Sequence, residues 1–113
     1  MPSHTLANLS RMVRMAQSKN IKVAVGAIMP VNDYLPGKNV LASHPIEKVQ
    51  QLNRQIKAFC ADRQIPFIDF YSSVADESGK LRRDYSDDGM HCNRKGYDAW
   101  KPLVEDVLTL WEI

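Results

Sequence analysis

The stretch Tyr85-Ser86-Asp87-Asp88-Gly89-Met90-His91-Cys92-Asn93 holds the residue types best suited to moving a proton. Asp88 stands three residues before His91 in a polar loop that contains a glycine. At that spacing one loop can present a carboxylate to an imidazole. The acid sets the ring's tautomer and stabilises its protonated form, and the other ring nitrogen is left as a general base. A pair spaced this way also arises by chance, as an ordinary surface loop. Position favours chemistry: the pair follows a strand and precedes a helix, where α/β proteins place their ligand sites.

The neighbouring groups carry weaker cases. Asp87 is one residue too far from His91 and reads as a solvated loop acid. Cys92 could be offered as a nucleophile, but adjacent side chains diverge and no separate base is identifiable. Ser3, Ser43, Ser72 and Ser73 lack the strand-to-helix turn that exposes a nucleophilic serine, and read as cap or turn residues. His4, His44 and His91 have no metal-ligand spacing, so neither a metal nor a cofactor is expected. Met90 either lines an acyl pocket or simply packs.

The elements that must position the pair follow from periodicity. Residues 5–19 form a predicted helix with Leu6, Leu9, Met12, Val13 and Ala16 on one stripe, ended by Asn20. Residues 22–28, Lys-Val-Ala-Val-Gly-Ala-Ile, have the profile of a buried parallel strand. Residues 29–45 turn to Pro, Asn, Asp, Gly, Ser and His, a long loop of which residues 31–45 are expected by position to border any substrate cleft. A second helix spans 46–63, with Ile46, Val49, Leu52, Ile56 and Phe59 on one face and Cys60 as a small core residue. Residues 67–70 form a second strand, Ser78-Gly79 a turn, and Asn93 the N-cap of a last helix. That helix carries Tyr97, Trp100, Val104, Val107, Leu108 and Trp111, with the two tryptophans as expected core anchors and Pro102 as an expected kink. Strand–helix–strand here is a βαβ unit, which is parallel and crosses over right-handed. Both long loops then leave the sheet at the same carboxyl edge.

Bulk properties exclude several classes. The 113 residues, 44% hydrophobic and 25% charged, suit a single globular domain over 1–113. A net charge of +2 with scattered Lys and Arg is no nucleic-acid footprint. No apolar run reaches the roughly 20 residues of a membrane span, and no signal sequence is visible. Localisation is left open. No glycine-rich phosphate loop supports an unrelated flavodoxin-like binding domain.

Taken in order, Ile21-Lys22-Val23-Ala24-Val25-Gly26-Ala27-Ile28-Met29-Pro30, a helix containing Leu52-Asn53, Pro66-Phe67-Ile68-Asp69-Phe70, and Asp88-Gly89-Met90-His91 with Asn93, Gly96 and Tyr97 resemble the carboxyl-terminal part of the SGNH hydrolases, the GDSL esterases and lipases. The resemblance covers nearly the whole chain. It implies an α/β, flavodoxin-like SGNH-hydrolase fold, here truncated to a βαβ unit of two parallel strands with three helices. It also implies hydrolysis of carboxylic esters by a serine nucleophile, with His91 as the base and Asp88 as the acid that orients it. The substrate would be a small ester or acylated molecule.

The family's Gly-Asp-Ser nucleophile motif and its Gly-x-Asn-Asp oxyanion motif do not occur in this sequence. Asn32-Asp33 follows the strand that would be the family's fourth, with Pro30 where the glycine should stand. The expectation is that three strands and their helices, roughly 90 residues at about 30 per βα unit, are missing, and that the chain alone is inactive or nearly so. The strand at 22–28 would then lack its inner neighbour. Its exposed apolar edge is expected to pair with a second copy or with a complementary segment. The alternative function is a non-catalytic remnant or interaction module that associates through that same edge.

Overall fold

A computed structural model describes residues 2–35 and 40–112. The elements in order are α1 (Pro2–Ser18), β1 (Val25–Gly26), α2 (Val40–Ser43), α3 (Ile46–Arg63), β2 (Phe67–Ile68), α4 (Phe70–Val74), a 3-10 turn (Arg83–Tyr85) and α5 (Arg94–Leu110). The two strands are parallel, with Val25 opposite Phe67 and Gly26 opposite Ile68. The βαβ unit of an α/β fold is therefore present. Three long helices stand where they are expected.

Boundaries differ where short elements replace predicted ones. The strand expected over 22–28 is regular only at Val25–Gly26, and the one over 67–70 stops at Ile68. Phe70 instead opens α4, because the Asp69 carboxylate caps the chain by accepting from Ser72 N at 3.1 Å. The long loop contains the four-residue α2, and residues 36–39 of it lie outside the described residues. Among the described residues five α-helices, two of them short, thus take the place of three.

Both helices that feed strands end by the same device. Asn20 (φ 60°) and Gln64 (φ 56°) adopt the left-handed conformation. The next residue's N–H then reaches back, Ile21 to Ala16 O and Ile65 to Cys60 O, each at 2.9 Å. The chain turns at once into extended backbone. Asn20 was legible as such a stop; a glutamine gives no comparable signal.

Strand alternation divides the packing into two faces. On one, Val25 joins Val13 of α1, Ile56 and Cys60 of α3, and Ile65 to form the core. Truncating a side chain such as Ile56 to alanine there would cost roughly 2–5 kcal/mol. On the other face Gly26 lies against Phe70, where any Cβ would collide with the ring. Phe70 meets Trp100 of α5 edge-to-face at 5.0 Å, and Tyr97 meets Trp100 at 5.2 Å. The expected anchoring by α5 is only partial. Trp100 and Trp111 are half-buried and Leu108 remains 38% exposed, because two strands are too narrow a floor for the stripe.

Candidate functional site

Asp88 and His91 come together at the carboxyl edge of the two strands, on the loop between the 3-10 turn and α5. The Asp88 Oδ2 to His91 Nδ1 distance is 2.7 Å. The other carboxylate oxygen, Oδ1, accepts from Met90 N and His91 N, both at 2.8 Å. One oxygen therefore builds the loop and the other addresses the ring. The His91 bond, then these two backbone donors, hold the Asp88 carboxyl well below the usual carboxylate range. The imidazole is 79% exposed, so Nε2 is open to solvent or to a reacting group.

The loop closes through its own backbone. Ser86 and Cys92 form an antiparallel bridge, and Asn93 N donates to Tyr85 O at 2.8 Å. Asn93 Oδ1 then accepts from Gly96 N at 3.1 Å, capping α5 as its sequence position predicted. Gly89 turns the chain at φ +83°, and a Cβ there would collide with Asn32 O. Glycine is required on both counts.

Sequence reasoning missed the groups that fasten this loop to the rest of the fold. Asn32 N donates to Gly89 O at 2.7 Å and Asn32 Nδ2 to Leu81 O at 2.8 Å. Tyr34 OH donates to Ser86 O at 2.8 Å, with the Arg83 guanidinium 4.7 Å above its ring. The loop after β1 thus acts as a brace for the Asp88–His91 loop. Nothing local marks these residues, since each works through a contact about fifty positions away.

The other groups weighed above are otherwise engaged. Asp87 Oδ1 lies 3.4 Å from Asn93 Nδ2, away from the ring pair. Cys92 Sγ contacts Met29 Sδ at 3.6 Å, and burial pushes its thiol up, which opposes a nucleophilic role. Ser72 Oγ donates to Asp69 Oδ2 at 2.6 Å, and Ser73 Oγ to Phe70 O at 2.7 Å. Ser43 Oγ lies 3.2 Å from Val40 O and 3.1 Å from His44 Nδ1. Ser3 lies outside the residues whose side chains are described. Met90 is 38% exposed at the loop's tip. Among the described residues no three His, Cys, Asp or Glu side chains cluster as metal ligands, and no helix is long and apolar enough to cross a membrane.

Residues 1–99 match the model of a family described as GDSL-like Lipase/Acylhydrolase. No curated protein matches the chain. Among solved structures, a protein of Bacteroides fragilis NCTC 9343 described as a candidate acylhydrolase is 30% identical and superposes with a TM-score of 0.85, over 96% of this chain and 52% of its own. A GDSL-like lipase of Bacteroides thetaiotaomicron VPI-5482 is 28% identical, with a TM-score of 0.83 over 96% of this chain and 53% of its own. The esterase domain of the ZfL2-1 ORF1 protein from a zebrafish retrotransposon shares the fold at 14% identity, with a TM-score of 0.70 over 97% and 60%. The chain spans about half the length of the first two structures.

Proposed function

Since this chain belongs to the GDSL-like lipase/acylhydrolase family, we propose that it carries the acid–base half of an ester-hydrolysing site. The observation behind this is the 2.7 Å contact from Asp88 Oδ2 to His91 Nδ1, which leaves Nε2 open. In the complete site a serine hydroxyl attacks the acyl carbonyl carbon while Nε2 of His91 takes its proton. The imidazolium is held by the Asp88 carboxylate. His91 returns the proton to the departing alcohol, and a water repeats the sequence to free the acid. Asp88 stays ionised throughout, in keeping with its depressed pKa.

Neither Gly-Asp-Ser nor Gly-x-Asn-Asp occurs in the sequence. Each missing oxyanion donor would forfeit about 3–4 kcal/mol of transition-state stabilisation. This chain by itself should therefore hydrolyse simple aryl esters negligibly. The test is turnover of a short-chain aryl ester by the chain alone and mixed with the serine-bearing half of a solved relative. Activity in the mixture that vanishes with His91→Ala supports the reading. Activity that survives the substitution overturns it.

One observation favours a second reading, in which the chain is an association module. Val25 N and Ala27 N donate to Pro66 O and Ile68 O of the β2 segment, at 3.0 and 2.9 Å. The peptide groups of Ala24 and Gly26 alternate with these and turn to the outer edge, which no described strand pairs. Apolar grooves flank that edge on both faces, one lined by Leu9, Met12 and Val13, the other by Val104, Val107 and Leu108. An antiparallel two-fold pairing is self-complementary: each copy's donors meet the other's acceptors, and like grooves close on one another. We propose a second copy as the occupant. Sedimentation showing a dimer supports it; a monomer at all concentrations, or a complex only with a foreign segment, refutes it.

A further inference from the structure

We propose that Ser86 is a positioning residue for the Asp88–His91 pair, an inference that rests on the acid–base reading above. Among the described residues Ser86 is the polar side chain buried in the fold, at 3% exposure. Its hydroxyl sits inside the loop it begins. It lies 2.7 Å from His91 O, 2.9 Å from Gly89 N and 3.3 Å from Asp88 Oδ1.

A serine hydroxyl has one proton and two lone pairs. Gly89 N can only donate, so the oxygen accepts there. The proton then goes to one of two acceptors, and the shorter distance selects His91 O. Asp88 Oδ1 is already served by the Met90 and His91 amides. His91 is thus gripped on both sides of its Cα: its N–H by Asp88, its C=O by Ser86. Those two bonds orient the Cα–Cβ bond, which aims the exposed ring at Oδ2.

Ser86 is itself held from both sides, by the rest of the fold and by the far end of the loop. Its carbonyl accepts from Tyr34 OH at 2.8 Å, and its backbone pairs with Cys92. The hydroxyl therefore transmits the position of the post-β1 brace to the imidazole. An exposed ring has no packing to locate it, so the backbone beneath must do so.

The experiment follows the Nδ1 proton of His91 in the ¹⁵N-histidine-labelled chain by long-range ¹H–¹⁵N correlation and solvent exchange. In the parent chain the proton should reside on Nδ1, because the ionised Asp88 carboxylate facing it can only accept. In Ser86→Ala it should exchange about tenfold faster, the factor one ordinary hydrogen bond corresponds to, and the Nε2–H tautomer should appear. Amide signals outside residues 86–92 should stay in place. The pair Ser86→Thr and Ser86→Val matches added bulk and differs only in the hydroxyl. Threonine should keep the protection and valine lose it, which keeps the test valid even where alanine disturbs folding. Equal exchange in the threonine and valine variants, or unchanged exchange in Ser86→Ala, overturns the proposal. Asp88→Asn separates the two readings: unchanged Nδ1 protection there sinks the acid–base pairing itself, whatever Ser86 does.

Discussion

The loop of residues 86–92 and the outer edge of β1 are both backbone without a regular ladder, and the chain treats them oppositely. In the loop, polar groups find partners within a few residues: Asp88 takes two amides and a ring nitrogen, and Ser86 takes an amide and a carbonyl. At the edge, the peptide groups of Ala24 and Gly26 face outward between two apolar grooves and have only small side chains beside them. A loop rich in Ser, Asp and Asn can satisfy itself by side chain-to-backbone bonds. A strand edge built of Val, Ala and Gly cannot, because only another strand offers donors and acceptors at its spacing. The bonds that join the pair therefore close within the loop, which Asn32 and Tyr34 brace from outside, whereas the outer edge of β1 meets no described strand.

The sharpest way to upset the loop is Gly89→Ala. The φ of +83° and the collision with Asn32 O should together cost about 3 kcal/mol, read as a lower urea midpoint at unchanged slope. A loss below about 1 kcal/mol would mean that the brace from Asn32 is dispensable. Next in size is the edge. Met12→Lys or Leu108→Lys places a charge in one groove and should weaken dimerisation by about tenfold or more in sedimentation, while Arg14→Lys on the solvent side should not. Equal affinity in the groove variants would remove the edge from the interface.

Asn93→Ala deletes the α5 cap and should lower stability by about 1 kcal/mol in denaturant titration. It should leave the β1 edge and any dimer untouched, since the cap lies on the loop side. The smallest effect is that of acid. Asp88 has a folded-state pKa depressed below its unfolded value, so its contribution is fully present above the unfolded pKa, about 4. It is lost only as pH falls through the depressed value. The side-chain carboxyl ¹³C signal of Asp88 should show no carboxylate protonation step down to about pH 4; such a step near pH 4 would show that Asp88 is not held by its donors.

Much of this could be read from residues in order, and the failures share a cause. The span of α3, the stop at Asn20, the cap at Asn93 and the parallel pairing all follow from signals within one helical turn or one strand. The short elements α2 and α4 carried no such signal over four and five residues. Periodicity needs two turns to show itself. The expectation that Trp100 and Trp111 anchor a core also outran the structure. Amphipathic spacing reports which face is apolar, not how much floor lies beneath it.

The sequence by itself determined the local chemistry: an acid and an imidazole three residues apart, a glycine between them and a cap behind them. Local spacing suffices for that, because the bonds of Asp88 to Met90 and His91 and the cap bond of Asn93 to Gly96 reach no more than three residues along the chain. Only the tertiary structure decided that Asn32 and Tyr34 brace the loop and that Ser86 is sealed inside it. Those facts depend on segments about fifty residues apart being brought within 3 Å, which is settled by packing and by backbone hydrogen bonding across the whole fold.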